Sequence, residues 1–127
     1  MYNLRMKRWM WTLLFVVFLC TFAFSQDQPF VGDWYGAINL PAVDMDVSVT
    51  LREEDGALSG TIDIPSQQIK AMPLQVVQND KEKISFTIPK MTGHPTFTGT
   101  LSENGHYMYG EFSQGSGRFR FRLTRTH

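Results

Sequence analysis

From about residue 33 onward the chain alternates apolar and polar residues, and this constrains its fold more than any other feature. The segment "RFRFRLTRT" is the plainest case, with Phe119, Phe121 and Leu123 pointing one way and Arg118, Arg120, Arg122 and Thr124 the other. The same pattern runs through Met45, Val47, Val49 and Leu51, through Ile84, Phe86 and Ile88, and through Phe97, Gly99 and Leu101. A period of two is that of a strand with one buried face, whereas a helix needs 3.6. No helical period survives after residue 30. Eight strands are expected, over 33–40, 44–53, 57–64, 68–78, 83–89, 95–102, 106–113 and 117–126.

The segments between them carry turn chemistry. "EEDGA" at 53–57, "NDKEK" at 79–83, "SENGH" at 102–106 and "QGSG" at 114–117 hold the Asp, Asn and Gly residues that tolerate positive φ. Short links favour an antiparallel meander. With no helix to cover a second sheet face, closure is the favoured way to remove the edges. The expected class is all-β: a single antiparallel up-and-down barrel of about eight strands, with a two-sheet sandwich as the competing arrangement. Pro73 cannot donate to a ladder, so the strand through 67–78 is expected to be irregular or at an edge.

The first 25 residues are of another kind. Arg5, Lys7 and Arg8 precede the 16 uncharged residues Trp9–Phe24, and Ala23-Phe24-Ser25 puts small residues at −3 and −1 before Gln26. That order predicts a helical secretory signal peptide over 1–25, cut after Ser25, and a barrel domain over 26–127 in the periplasm or outside the cell. The apolar run is short of the roughly 20 residues a membrane-crossing helix needs. Leu19 before Cys20 is not the small residue that lipidation signals call for. No membrane span is expected after cleavage.

Cleavage changes the charge. All twelve acidic residues but only nine of the twelve Lys and Arg lie after residue 25, so the net charge there is −3. Nothing in that balance points to nucleic acid. The only Cys is Cys20, which leaves disulfides and thiol chemistry out of the domain. Its 102 residues must rely on a hydrophobic core.

Gly32-Asp33-Trp34, at the start of the first strand, resembles the Gly-x-Trp of lipocalins and related small barrels. The resemblance implies that the Trp closes one barrel end against an Arg of the last strand. Arg118, Arg120, Arg122 and Arg125 are on offer, and Gly32, Trp34, Arg120 and Arg122 are taken as the closing set. "GDWY" and "DGALSGT" also resemble the first strands of avidin-like proteins, but Trp34 is the only Trp after the leader, against the several that wall a biotin site. A longer likeness covers nearly all of the domain. "FVGDWYG", "DGALSGTIDIP", "KISFTIP", "FTGTLSENG", "YGEFSQG" and "RFRLTR", in that order, resemble the lipocalin-like accessory domain that precedes the catalytic domain of secreted bacterial α/β-hydrolases. The catalytic domain that the resemblance implies is not among these 127 residues.

Catalytic constellations are not in evidence. The nearest text to G-x-S-x-G is "GEFSQG" at 110–115, with one residue too many before Ser113 and no helix to follow. His94, His106 and His127 lack metal-ligand spacing, and Asp44 and Asp46 make at most a two-carboxylate calcium site. No enzyme activity, cofactor or metal is expected. The inward aromatics read as core, and Gly60, Gly99 and Gly110 either leave room for a ligand or relieve crowding. The expected function is a non-catalytic module serving protein interaction or structural support, partnered by a secreted enzyme or another protein. The alternatives are a carrier for a small apolar ligand and a protease inhibitor inserting the free segment "QDQPF" at 26–30 into a cleft.

Overall fold

A computed structural model describes residues 28–126; the expected signal peptide and its cleavage point fall outside them. Eight strands follow one another: β1 (Gly32–Asn39), β2 (Asp44–Glu54), β3 (Ala57–Ile64), β4 (Ile69–Asn79), β5 (Lys83–Thr87), β6 (Thr96–Leu101), β7 (Tyr107–Gln114) and β8 (Gly117–Arg125). Each pairs antiparallel with the next, and β8 returns to β1, so the sheet is a closed up-and-down barrel rather than a sandwich. Closure runs over five residue pairs, from Trp34 opposite Arg125 to Ile38 opposite Phe121. A single 3-10 turn (Pro65–Gln67) links β3 to β4. Among the described residues no helix is long and apolar enough to cross a membrane.

The turns follow from their residues. Asp55 and Gly56 both have positive φ, 53° and 82°, giving the two-residue hairpin turn whose twist suits flanking strands. Between β4 and β5 the Asp80 carboxylate accepts the backbone N–H groups of Glu82 (2.9 Å) and Lys83 (2.8 Å). These two bonds, Glu82 first, favour its charged form and lower its pKa from the ordinary 3.8. The turn is therefore tighter when Asp80 is ionised. Asp80→Ala is expected to melt below the parent at neutral pH. That gap holds above 3.8 and closes as the pH falls through the lowered folded-state pKa. Thermal unfolding of both proteins across that range checks it, and a constant gap would mean that the carboxylate charge is irrelevant to the turn.

β4 is irregular, as Pro73 implies, but it is not an edge, because it lies between β3 and β5. Pro73 sits opposite Thr61 of β3, in a stretch that precedes the β5 pairing at Gln75. On the β5 side no partner faces it there, so its missing donor costs little. Close by, Ala71 takes φ 52° and gives its N–H to Asp63 Oδ1 at 2.7 Å, at a register shift between Ile62 and Ile64.

Inward residues fill the barrel. Val47, Val49, Ile62, Phe86, Phe97 and Met108 have no accessible surface at all. A void wide enough for water would leave accessible area on its walls, so the space between these side chains is packed. Phe97 stacks on Phe86 at 4.8 Å, tilts against Phe112 at 4.8 Å and meets Phe121 edge-on at 5.1 Å, an aromatic cluster along the inner faces of β5 to β8. The inward glycines relieve crowding rather than leave room. A Cβ on Gly60 or Gly110 would lie 2.2 or 2.0 Å from a neighbouring strand's carbonyl oxygen, and one on Gly99 would touch Phe121 and Met108.

Candidate functional site

Two regions of the barrel carry chemistry beyond packing: the end closed by Trp34, and the outer wall of β6, β7, β8 and β1.

At the closed end the chain enters through Phe30, which is wholly buried, and Trp34, which is 1% exposed. Gly32 has φ 143°, a conformation other residues rarely adopt, and it turns the entering segment into β1. Trp34 Nε1 donates to the Phe30 carbonyl at 3.0 Å. The guanidinium over the Trp34 ring, 4.3 Å from its centroid, is that of Arg125. It also donates to the carbonyls of Gly105 (3.1 Å), Val31 (2.6 Å) and Pro29 (2.5 Å). One side chain thus ties the entering segment, the β6–β7 turn and the last strand together. Partial burial draws its pKa down from the usual guanidinium value.

This corrects the closing set of Arg120 and Arg122. Both have even numbers in a strand whose odd residues point inward, so both face solvent. Alternation continued two residues past Leu123 puts Arg125 on the inner face, a signal present in "RFRFRLTRT" itself. The role of Phe30 carried no comparable signal, because it precedes the first strand. Of the segment 26–30 expected to be free for insertion into a protease, residues 26 and 27 lie outside the described residues, and Pro29 and Phe30 are held by these contacts, as is the adjoining Val31.

Arg120 and Arg122 belong to the outer wall. A shallow groove of about 640 Å³ there is lined by Asn39, Thr98, Tyr109, Glu111, Arg120 and Arg122, together with Gly110 and Phe121. Arg122 lies 4.2 Å over the Tyr107 ring. Glu111 pairs with Arg118 at 3.1 Å, both well exposed, a geometry worth under about 1 kcal/mol. Among the described residues this is the only ion pair, which leaves the Arg120 and Arg122 guanidiniums without a carboxylate partner there. The groove offers arginine forks, an aromatic face, an amide and a hydroxyl, which suit recognition of an acidic polar surface.

Catalytic chemistry gains no support from placement. Ser113 lies within β7, opposite Thr96 and Arg118, and not on a strained turn. His94 precedes β6 and His106 follows it, so they sit at opposite ends of that strand; His127 is outside the described residues. Asp44 and Asp46 share the exposed face of β2, and Asp44 Oδ1 accepts the Asn39 amide at 3.1 Å. Among the described residues no three His, Cys, Asp or Glu side chains converge to hold a metal.

No protein-family model matches the chain, nor does any curated protein or solved structure.

Proposed function

We propose that this chain is a non-catalytic β-barrel module, exported from the cytoplasm, that acts through its outer surface rather than by enclosing a ligand. The observation that carries this reading is the packed interior. An eight-stranded barrel either fills with side chains or holds one small ligand, and here every buried core residue is at most 8% exposed and most have no accessible surface. Export rests on the leader-like first 25 residues. A role in protein interaction or structural support agrees with the sequence's resemblance to the accessory barrel of α/β-hydrolases.

The alternatives lose support. A carrier needs a cavity of several hundred Å³ lined by apolar side chains, and the one groove described above is an outer-wall surface with charged groups. An inhibitor that threads its N-terminal segment into a cleft would first have to break the Arg125 contacts.

Native mass spectrometry on protein purified gently from its own source tests the proposal. A bare barrel, or one holding a second polypeptide, is the expected result. A reproducible small-mass adduct released by denaturation would overturn it in favour of a carrier. Esterase and peptidase turnover should stay at background, and activity lost on Ser113→Ala would equally defeat the reading.

A further inference from the structure

The register across β8, β1 and β2 places opposite charges on either side of one uncharged stretch. Ala37 of β1 lies between Arg122 and Asp46, its partners on the two neighbouring strands. Two residues on, Asn39 lies opposite Asp44 and lines the same groove as Arg120. Arg120, Arg122, Asp44 and Asp46 are all exposed. Two strand spacings, roughly 10 Å, separate the backbone of each Arg from that of its Asp, and among the described residues neither Arg lies within ion-pair distance of an Asp. The wall therefore holds two cations and two anions in matched rows that do not pair with one another; Asp44 accepts only the Asn39 amide, Arg122 lies over Tyr107, and Glu111, opposite Arg120, is engaged by Arg118.

We infer that this wall is a self-complementary interface through which two copies of the chain pair about a two-fold axis running along β1. Rotation by 180° about that axis exchanges the two sides of the wall. Arg122 then faces the second copy's Asp46, and Arg120 faces its Asp44, each contact occurring twice, as an isologous interface requires. An axis across the strands would instead set Arg against Arg. Along the axis the small Ala37 meets its own copy and allows close approach. Tyr35, 51% exposed, supplies an aromatic contact there, and Asn39 an amide pair. A uniformly acidic foreign partner would be attracted by one half of the wall and repelled by the other. The axis also brings the two Asp33 side chains together, so Asp33→Asn is expected to tighten the pair. This inference is independent of the packed interior, and its failure would leave the proposed function standing.

Sedimentation equilibrium on exported protein, with Arg122→Asp, Asp46→Arg and their equimolar mixture, provides the test. The parent is expected to dimerise at micromolar concentration and to dissociate as salt rises. Each variant alone sets like charges together twice and should bind itself at least about tenfold more weakly. Mixed, the two variants restore both contacts and should form a heterodimer within about threefold of the parent affinity. Both positions are exposed on strands, so melting temperatures should stay near the parent's. Should either variant fail to fold, Arg120→Asp with Asp44→Arg makes the same test. A parent that remains monomeric, or a mixture no tighter than its components, overturns the inference, as would a wall that retains only a foreign acidic protein.

Discussion

Replacing Arg125 by Ala is expected to cost about 3 kcal/mol of stability, which for a domain of this size is a fall in melting temperature of roughly 15 °C. The side chain has two kinds of contact to lose. Its face lies 4.3 Å from the Trp34 ring centroid, an interaction of about 0.5–2 kcal/mol depending on how dry it is. Its three nitrogens donate to the carbonyls of Gly105, Val31 and Pro29, and hydrogen bonds from a charged donor are worth about 1.5–3 kcal/mol each before the cost of desolvating the guanidinium. Partial exposure discounts the sum, hence the lower figure. Lysine at 125 keeps the charge but not the planar fork, and should recover less than half of the loss. Arg120→Ala and Arg122→Ala, on the outer wall, should each cost under about 1 kcal/mol. Limited proteolysis adds an independent readout, because the segment at 28–31 should become cleavable in Arg125→Ala alone. A variant melting within two or three degrees of the parent (roughly half a kcal/mol) would mean that Phe30 and Trp34 close the barrel without it.

Gly36→Ala and Gly110→Ala are each expected to cost about 3 kcal/mol or more and to lower the yield of folded protein. General rules point the other way. Where the native backbone suits alanine, Gly→Ala stabilises by about 0.4–1 kcal/mol through the unfolded chain. Here the added methyl meets backbone. On Gly36 it would fall 1.9 Å from the Arg122 carbonyl oxygen, and on Gly110 2.0 Å from that of Thr98. A carbonyl within a ladder cannot swing aside as a side chain can, so the strands must separate. At Gly36 those strands are β1 and β8, the pair that closes the barrel. Gly99→Ala is the control. Its nearest neighbours are side-chain atoms, the tip of the Phe121 ring at 3.0 Å and Met108 Cγ at 3.1 Å, which can shift as backbone cannot, and it should cost about 1 kcal/mol. Chemical denaturation of the three variants ranks them, and equal costs would show that the close approaches at 36 and 110 relax freely.

Much of the fold was legible because strand alternation is a local signal. The observed β2 and β8 differ from their expected limits by one residue, and β3 not at all. Expected strands 83–89 and 95–102 are shortened to Lys83–Thr87 and Thr96–Leu101, with Pro89 and Pro95 in the link between them. An X-Pro pair favours extended backbone without supplying the N–H a ladder needs, so apolar Ile88 reads as strand although it precedes a turn.

The candidate site was less legible. The Gly-x-Trp setting marks Trp34, but the resemblance that supplies it leaves the partner open among the arginines of the last strand, and only strand alternation excludes Arg120 and Arg122. Nothing before β1 shows a period, so the sequence carries no sign that Phe30 is buried. The meaning of Gly60, Gly99 and Gly110 depended on distances to strands far along the chain. The outer wall is not visible in the sequence, because its residues are contributed by β6, β7, β8, β1 and β2 and meet only in register.

The sequence by itself determined the strand class, the strand order and the turns, along with the alternation that makes one face of each strand apolar. These follow from interactions within a few residues, chiefly the period of two and the positive φ tolerated at Asp55 and Gly56. Tertiary structure decided that one sheet closes on itself, that its interior is packed and that Arg125 is the residue over Trp34. It also set Arg122 and Asp46 on either side of Ala37. Each of these is a relation between residues tens of positions apart, and such a relation exists only once the last strand has paired with the first.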